Sequence, residues 1–136
     1  MTSTQPNLVP LDELNNIPVL DIETLEQLKD VDDGGLELAK EMFGIFKADT
    51  PPRLSAIKAA IEANDFVKLR EVSHALKGSC GTIGAARVRI ISAVLEAYGR
   101  GCKTETPPDE IFKCLQNACD EAFSALESFI GGHTDF

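Results

Sequence analysis

Apolar residues recur every three or four positions along most of this chain, and strand-like alternation is scarce. This spacing places the apolar side chains on one face of an α-helix. It predicts four long amphipathic helices, over residues 36–63, 65–82, 85–100 and 107–129. Because the segments between them are short, consecutive helices are expected to run antiparallel. The pattern therefore predicts an all-α fold, an antiparallel up-down four-helix bundle.

The N-terminal part of the chain predicts one or two short helices in front of this bundle. Residues 10–16 are expected to form a helical turn that ends before Pro18. Asp21 is expected to cap a second helix that runs to about Asp30. The predicted organisation is an N-terminal extension, a bundle domain and a tail, over residues 1–18, 19–130 and 131–136.

Proline and polar residues predict where the long helices bend and begin. Pro51 and Pro52 interrupt the first long helix, which is expected to kink or restart there. Thr106 is predicted to cap the last helix, with Pro107 in its first turn. The apolar register of that helix extends to about Phe129.

His74 lies on the polar face of the helix predicted over residues 65–82. The apolar stripe of that helix spans roughly 120°, and His74 lies about 150° from its centre at about 100° per residue. Gly78 follows one turn later and carries no side chain that would hinder access to the ring. The geometry favours a histidine that a macromolecular partner approaches. The stripe is formed by Phe66, Leu69, Val72, Leu76, Cys80 and Ile83.

Length and charge limit the classes of partner. A chain of 136 residues is expected to form a single domain. Its net charge of −9 argues against nucleic acid or an anionic membrane as the main partner. The sequence has no apolar run of the roughly 20 residues that a membrane span needs and no visible signal peptide. We therefore expect a cytoplasmic location.

The four cysteines indicate neither disulfides nor a metal site. Cys80, Cys102, Cys114 and Cys119 lie within or beside apolar helical patterns, without a Cys-x-x-Cys pair. We interpret them as reduced, mostly buried thiols, and we expect no bound metal.

The chemistry open to His74 follows from its surroundings. A bis-histidine metal site is disfavoured, because the only other histidine is His133 in the tail. A base that activates a serine or cysteine needs a pocket, and no Gly-x-Ser-x-Gly segment is present. A nucleophile for phosphoryl transfer fits better, since Arg70 and Lys77 flank the imidazole and offset phosphoryl charge. The alternative is an ordinary exposed histidine without a function.

Residues 74–84 read His-Ala-Leu-Lys-Gly-Ser-Cys-Gly-Thr-Ile-Gly. This segment resembles the signature of histidine-containing phosphotransfer (HPt) domains, His-x-Leu-Lys-Gly-Ser with a further glycine ten residues after the histidine. The resemblance covers about residues 19–130. It implies an antiparallel four-helix bundle with the histidine exposed on the second bundle helix. It also implies that the histidine accepts a phosphoryl group from an aspartate of one receiver domain and passes it to an aspartate of another.

The resemblance implies a role for each matching residue. His74 would accept and donate the phosphoryl group, and Lys77 would lie beside that group. Gly78 would leave room for the rim of the receiver's active site. Ser79 and Gly84 match the pattern and are expected to serve helix packing and the turn rather than chemistry.

Glu96 and Arg100 resemble a polar position and an arginine that line the histidine in yeast-type members of the family. The two residues lie four apart, on one face of the next helix. Glu96 is expected to hydrogen-bond one imidazole nitrogen and leave the other as the nucleophile. The alternative interpretation of the pair is an ordinary surface ion pair.

A receiver domain also needs an apolar patch around the histidine. Val67 and Ala75 are the candidates on the histidine helix, and Arg70, Glu71 and Gly78 complete the expected partner-binding surface. Apolar residues of the N-terminal segment are further candidates, unless they cap the open end of the bundle. These residues are Leu11, Leu14 and Ile17.

Together these features favour a phosphorelay intermediate that works between the receiver domains of a hybrid sensor kinase and of a response regulator. The chain has no glycine box for ATP, so we expect no kinase activity, no cofactor of its own, and Mg²⁺ held only by the receiver. Once the apolar positions are assigned to the core, no heptad repeat of apolar residues is left over for pairing with a second copy, so a monomer is expected. The alternatives are a non-catalytic helical adaptor that binds receiver or kinase domains, and a metal-binding bundle.

Overall fold

The computed structural model describes residues 11–132, with side chains for residues 12–131. Within that range the chain forms six helices and no strand. The prediction of an all-α fold is confirmed. Predictions for residues 1–10 and 133–136 lie outside the described residues. The helices are α1 (Leu11–Asn15), α2 (Ile22–Val31), α3 (Glu37–Ala63), α4 (Phe66–Ile83), α5 (Ala86–Gly99) and α6 (Pro108–Gly132).

Two aspartates cap helices, and the cap at Asp21 is the one predicted above. The Asp21 carboxylate accepts hydrogen bonds from the backbone N–H and the hydroxyl of Thr24, at 3.4 and 2.9 Å. Asp65 accepts a hydrogen bond from the backbone N–H of Lys68 at 3.1 Å. Each carboxylate satisfies a backbone donor that the first helical turn leaves free. Asn64, with a φ of +54°, ends α3 in the left-handed region and lets the chain turn into α4.

Helix α3 does not restart at its two prolines. Pro51 and Pro52 lie inside one continuous helix. Each lacks a backbone N–H, so the carbonyls of Lys47 and Ala48 lose their helical donors. These four residues are exposed, and water can therefore hydrogen-bond the freed carbonyls without ending the helix.

Both ends of α6 differ from the prediction. The helix begins at Pro108, and the carbonyl of Thr106 accepts a hydrogen bond from the hydroxyl of Thr104, so Thr106 lies before the cap position. At the other end, α6 continues past Phe129 to Gly132. Ile130 is 7 % exposed, and the burial of this side chain explains why the helix continues.

The four long helices pack around one apolar core. Helix α4 contacts α3 and α5, and α6 contacts α5 and α3. Helix α2 packs on α3 and α4, and α1 packs on α5 and α6. No helix in residues 11–132 is long and apolar enough to cross a membrane. The largest fully buried apolar side chains include Leu25, Ile57, Leu69, Leu76, Ile83, Ile91, Leu95, Ile111, Leu115 and Leu126.

Two apolar predictions need correction. Leu14 is fully buried in the core and Ile17 packs against it, so Leu14 caps the bundle and is not available to a docking partner. The side chain of Leu11 lies outside the described residues. Phe66, placed in the apolar stripe of α4, is 45 % exposed. It lies at the first turn of the helix, where one side of its ring contacts Tyr98 with ring centroids 5.8 Å apart.

Candidate functional site

His74 projects from the middle of α4 into solvent, with 67 % of its side chain exposed. Its neighbours Ser73 and Leu76 are fully buried. The opposite orientations follow from the helical period, which turns successive residues by about 100°. The prediction that His74 lies away from the core is therefore confirmed in the geometry of α4.

The Glu96 carboxylate lies beneath His74 and is 2 % exposed. Its Oε2 atom lies 2.9 Å from His74 Nδ1 and 2.8 Å from Arg100 Nη2. Its Oε1 atom lies 2.7 Å from Lys77 Nζ. Glu96 therefore links the histidine on α4 to the end of α5 through three short polar contacts.

The partners of Glu96 determine its charge. Burial of the carboxyl raises its pKa, but hydrogen bonds from Lys77 and His74 and the charges of Lys77 and Arg100 act in the opposite direction. The balance holds the pKa of Glu96 below its ordinary value. Glu96 is therefore a carboxylate at neutral pH.

An ionised carboxylate accepts hydrogen bonds and donates none. In the 2.9 Å contact between Glu96 and His74, Nδ1 must consequently carry the proton. In a neutral imidazole the lone pair then resides on Nε2. Within residues 12–131 no hydrogen bond engages Nε2, so this atom is left free on the exposed edge of the ring.

The two cations beside the carboxylate differ in exposure. The Lys77 side chain is 32 % exposed and Arg100 is 58 % exposed. Both point to Glu96 rather than to the free edge of the imidazole. Arg70, the third predicted cation, is half-buried where α4 meets the end of α5.

The surface around the histidine is open. A Cβ atom added at Gly78 would meet no atom within 4 Å. Val67 is 55 % exposed, and Glu71 and Ala75 are also exposed. Four of the predicted partner-binding residues therefore share the outer surface of α4 with His74.

Ser79 and Gly84 make contacts at the side and the end of α4. The Ser79 hydroxyl accepts a hydrogen bond from Arg53 Nη1 of α3 at 2.6 Å. Gly84 ends α4 with a φ of +76°, and its carbonyl accepts a hydrogen bond from the backbone N–H of Asp21 at 2.8 Å. A Cβ at Gly84 would lie 3.0 Å from the carbonyl oxygen of Asp21. Backbone conformation and space both require a glycine there.

The comparisons with known proteins identify the family. The family model for the Hpt domain matches residues 41–128, more than half of the chain. The chain belongs to the Hpt domain family. Hpt proteins act in histidine phosphotransfer within phosphorelays, as carriers rather than kinases, and interact with receiver domains.

A solved structure shares the fold of this Hpt protein. It is the crystal structure of histidine-containing phosphotransfer protein B from Pseudomonas aeruginosa PAO1, with a TM-score of 0.72 at 22 % identity. The match covers 83 % of this chain and 95 % of the other. Among curated protein sequences no match was found.

The cysteines of this Hpt protein are present as thiols. All four cysteines are free, and Cys80, Cys114 and Cys119 are buried. Burial raises the pKa of each of these three thiols, that of Cys119 to about 12. Within the described residues, no group of three His, Cys, Asp or Glu side chains is placed to hold a metal ion.

Sequence reasoning missed two residues next to the site. Arg53 reaches Ser79 across 26 positions of the chain, and no spacing rule connects residues on two different helices. No functional role was predicted for Gly99, yet it lies against the backbone of α4. Its position three residues after Glu96, on the helix that faces His74, was the available signal.

Proposed function

We propose that this protein carries a phosphoryl group on His74, accepting it from an aspartate of one receiver domain and passing it to an aspartate of a response regulator. The observation that carries the proposal is the free Nε2 atom of an imidazole whose Nδ1 atom contacts a buried carboxylate. A fixed tautomer with an exposed lone pair is what nucleophilic attack on phosphorus requires.

The transfer step follows from this arrangement. The Nε2 lone pair attacks the phosphorus of the receiver's aspartyl phosphate, an N–P bond forms, and the P–O bond to the aspartate breaks. The bonding electrons leave with the aspartate as a carboxylate. The proton stays on Nδ1, so the phosphorylated ring bears a positive charge next to Glu96. The reverse sequence of bonds delivers the phosphoryl group to the second receiver.

Glu96 contributes by holding the ring and by stabilising its positive charge in the phosphorylated form. Lys77 and Arg100 compensate the buried carboxylate in the resting protein. We further propose that Lys77 turns to the phosphoryl oxygens when they arrive, because its flexible side chain starts one turn from His74. Mg²⁺ is held by the receiver domain.

The charge distribution supports an acidic partner at this surface. The chain has a net charge of −9, yet residues 66–100 contain six lysine and arginine residues and two glutamates. Helices α4 and α5 therefore carry a net positive charge within an acidic protein. A receiver presents acidic residues and a phosphoryl group at its active site, and this complementarity favours rapid encounter.

The docking surface is proposed to centre on Val67, Ala75 and Gly78, with Arg70 and Glu71 at its edge. Exposed apolar side chains next to Gly78, which has no side chain, suit brief contact with a convex partner. A phosphoryl carrier must also release each receiver domain quickly. We propose a monomer that contains an antiparallel four-helix bundle over residues 19–130. The free thiols favour the cytoplasm.

Acid-labile phosphate measured after incubation with a phosphorylated receiver domain and Mg²⁺ tests the proposal. The wild-type protein is expected to take up label that is stable to base, and the His74→Gln variant none. His133→Gln, the same substitution at the other histidine of the chain, is the matched control and should retain labelling. A folded wild-type protein that binds several receivers and never takes up phosphate would contradict the proposal and favour the adaptor.

A further inference from the structure

Helix α5 lies directly against the backbone of α4 at Gly99. A Cβ atom at this position would lie 2.8 Å from the backbone nitrogen of Arg70 and 2.9 Å from the carbonyl oxygen of Phe66. It would also lie 3.0 Å from Arg70 Cβ. Two of these three atoms belong to the backbone of α4, which cannot swing aside as a side chain does.

Other glycines within helices behave differently. A Cβ at Gly44, Gly78 or Gly131 would meet nothing within 4 Å, and one at Gly81 would make an ordinary contact at 3.8 Å. The close approach is therefore specific to Gly99 among these positions. It fixes how near the end of α5 lies to α4.

Gly99 lies in the part of α5 that carries the histidine's partners. Glu96 precedes it by three residues, which places the two on one face about 4.5 Å apart along the axis. Arg100 follows it directly. Because a helix moves as a rigid element over one turn, the spacing between Gly99 and α4 also sets the spacing between Glu96 and His74.

The site has little room for such a shift. The three contacts of Glu96 measure 2.7–2.9 Å, which is already the ordinary length of a charge-assisted hydrogen bond. A side chain at position 99 would have to move α5 outward by several tenths of an ångström to reach normal contact distance. The Glu96 carboxylate would move away from His74 Nδ1, and the tautomer of His74 with the proton on Nδ1 would no longer be stabilised.

We propose that Gly99 is a positioning residue for phosphotransfer: its missing side chain brings α5 close enough to α4 for Glu96 to hold the Nδ1 proton of His74. This inference rests on the proposed function. It assigns to Gly99 an effect on the reaction that operates through Glu96 and not through contact with the phosphoryl group.

The first experiment compares Gly99→Ala with Gly131→Ala, the same change near the end of another helix where the Cβ meets open space. Gly99→Ala is expected to slow phosphotransfer by about 10- to 100-fold, as for a reacting group displaced by less than 1 Å. Gly131→Ala should match the wild type. The ¹⁵N chemical shifts of His74 should show the proton confined to Nδ1 in the wild type and in Gly131→Ala, and shared between both nitrogens in Gly99→Ala.

A double-variant cycle separates positioning from general damage. In a Glu96→Ala background, adding Gly99→Ala should slow transfer by less than about twofold, because the group that Gly99 positions is already absent. Equal losses in both backgrounds, or wild-type transfer and an unchanged tautomer in Gly99→Ala, would overturn the proposal.

Glu96→Asp keeps the test decisive if Gly99→Ala does not fold. This variant withdraws the carboxylate by one methylene and leaves the contact between the helices intact, so it should reproduce the slow transfer and the mixed tautomer. Wild-type behaviour of Glu96→Asp would overturn the positioning role. If the wild type takes up no phosphate at all, the proposed function fails, whereas the tautomer measurements still test what Gly99 does.

Discussion

The two ends of α5 each carry a charged residue at the centre of a polar network, and only one end leaves an atom free to react. At the N-terminal end, Arg87 is 15 % exposed. Its Nε atom donates to the carbonyl of Ile17 at 2.6 Å and its Nη1 atom donates to Glu121 at 2.8 Å. At the C-terminal end, Glu96 contacts His74, Lys77 and Arg100.

The difference lies in what each network holds. Arg87 ties the segment between α1 and α2 to α5 and α6, and its partners are a backbone carbonyl and a carboxylate, which do no further chemistry. Glu96 holds an imidazole by one nitrogen and leaves the other exposed. A charged network that holds only structural partners supports the fold, whereas one that orients an unpaired nucleophile supports a reaction.

Among changes to the two networks of α5, removing the Glu96 carboxylate should have the largest effect on the reaction. Glu96→Ala is expected to lower the rate of phosphotransfer by about 10- to 100-fold, because the imidazole loses both its orientation and its fixed tautomer. The measurement is the rate of label transfer from a phosphorylated receiver, with circular dichroism to establish that the variant is folded. Transfer at the wild-type rate would show that Glu96 is only part of an ion pair.

Removing the Arg87 side chain should affect stability and not chemistry. Arg87→Ala leaves the Ile17 carbonyl without its donor and should lower the free energy of unfolding by about 1.5–3 kcal/mol. Urea denaturation measures this loss, and the transfer rate per folded molecule should equal that of the wild type. A slower transfer in folded Arg87→Ala would erase the distinction between the two ends of α5.

The next prediction concerns the network around Glu96, whose contribution to stability should decrease in acid. The folded-state pKa of Glu96 is lower than its ordinary value of 4.5. Its ionisation therefore stabilises the fold above about pH 4.5, and this contribution is lost as the pH falls through the lower folded-state pKa. As the pH falls below about 4.5, Glu96→Gln should show a flatter decline in unfolding free energy than the wild type. Parallel declines in urea titrations of the two proteins would contradict the lowered pKa.

The smallest effect is expected from the exposed cation. Arg100 is 58 % exposed, so Arg100→Ala should lower the free energy of unfolding by less than about 1 kcal/mol. Lys47→Ala, which removes an exposed ion pair with Glu127 on other helices, is the matched control for stability. Arg100→Ala should slow phosphotransfer less than Glu96→Ala does. If Arg100→Ala slowed it more, the Arg100 guanidinium and not the Glu96 carboxylate would be the more important partner of His74.

Local features of the fold could be predicted from the sequence. Asp21 and Asp65 cap helices because the donors that they satisfy lie three residues away. The outward orientation of His74 follows from the period of α4. The contact of Glu96 with the imidazole was expected from the family resemblance, which connects residues 22 positions apart.

Contacts between distant segments could not be predicted in this way. The bond from Arg87 to the Ile17 carbonyl spans 70 residues and depends on where the N-terminal segment crosses the bundle. The role of Gly99 depends on the distance between two helix axes, which no local pattern encodes. Helix α3 continues through Pro51 and Pro52 because both are exposed to water, and that also follows only from the packing.

The most direct test of the account is the position of the proton and the phosphoryl group on His74. Long-range ¹H–¹⁵N spectra of the wild type, before and after reaction with phosphoramidate, report both, and His74→Gln assigns the signals because the chain has two histidines. The account predicts a proton on Nδ1 before the reaction and phosphate on Nε2 after it. A proton on Nε2 in the resting protein, or phosphate on Nδ1, would contradict it.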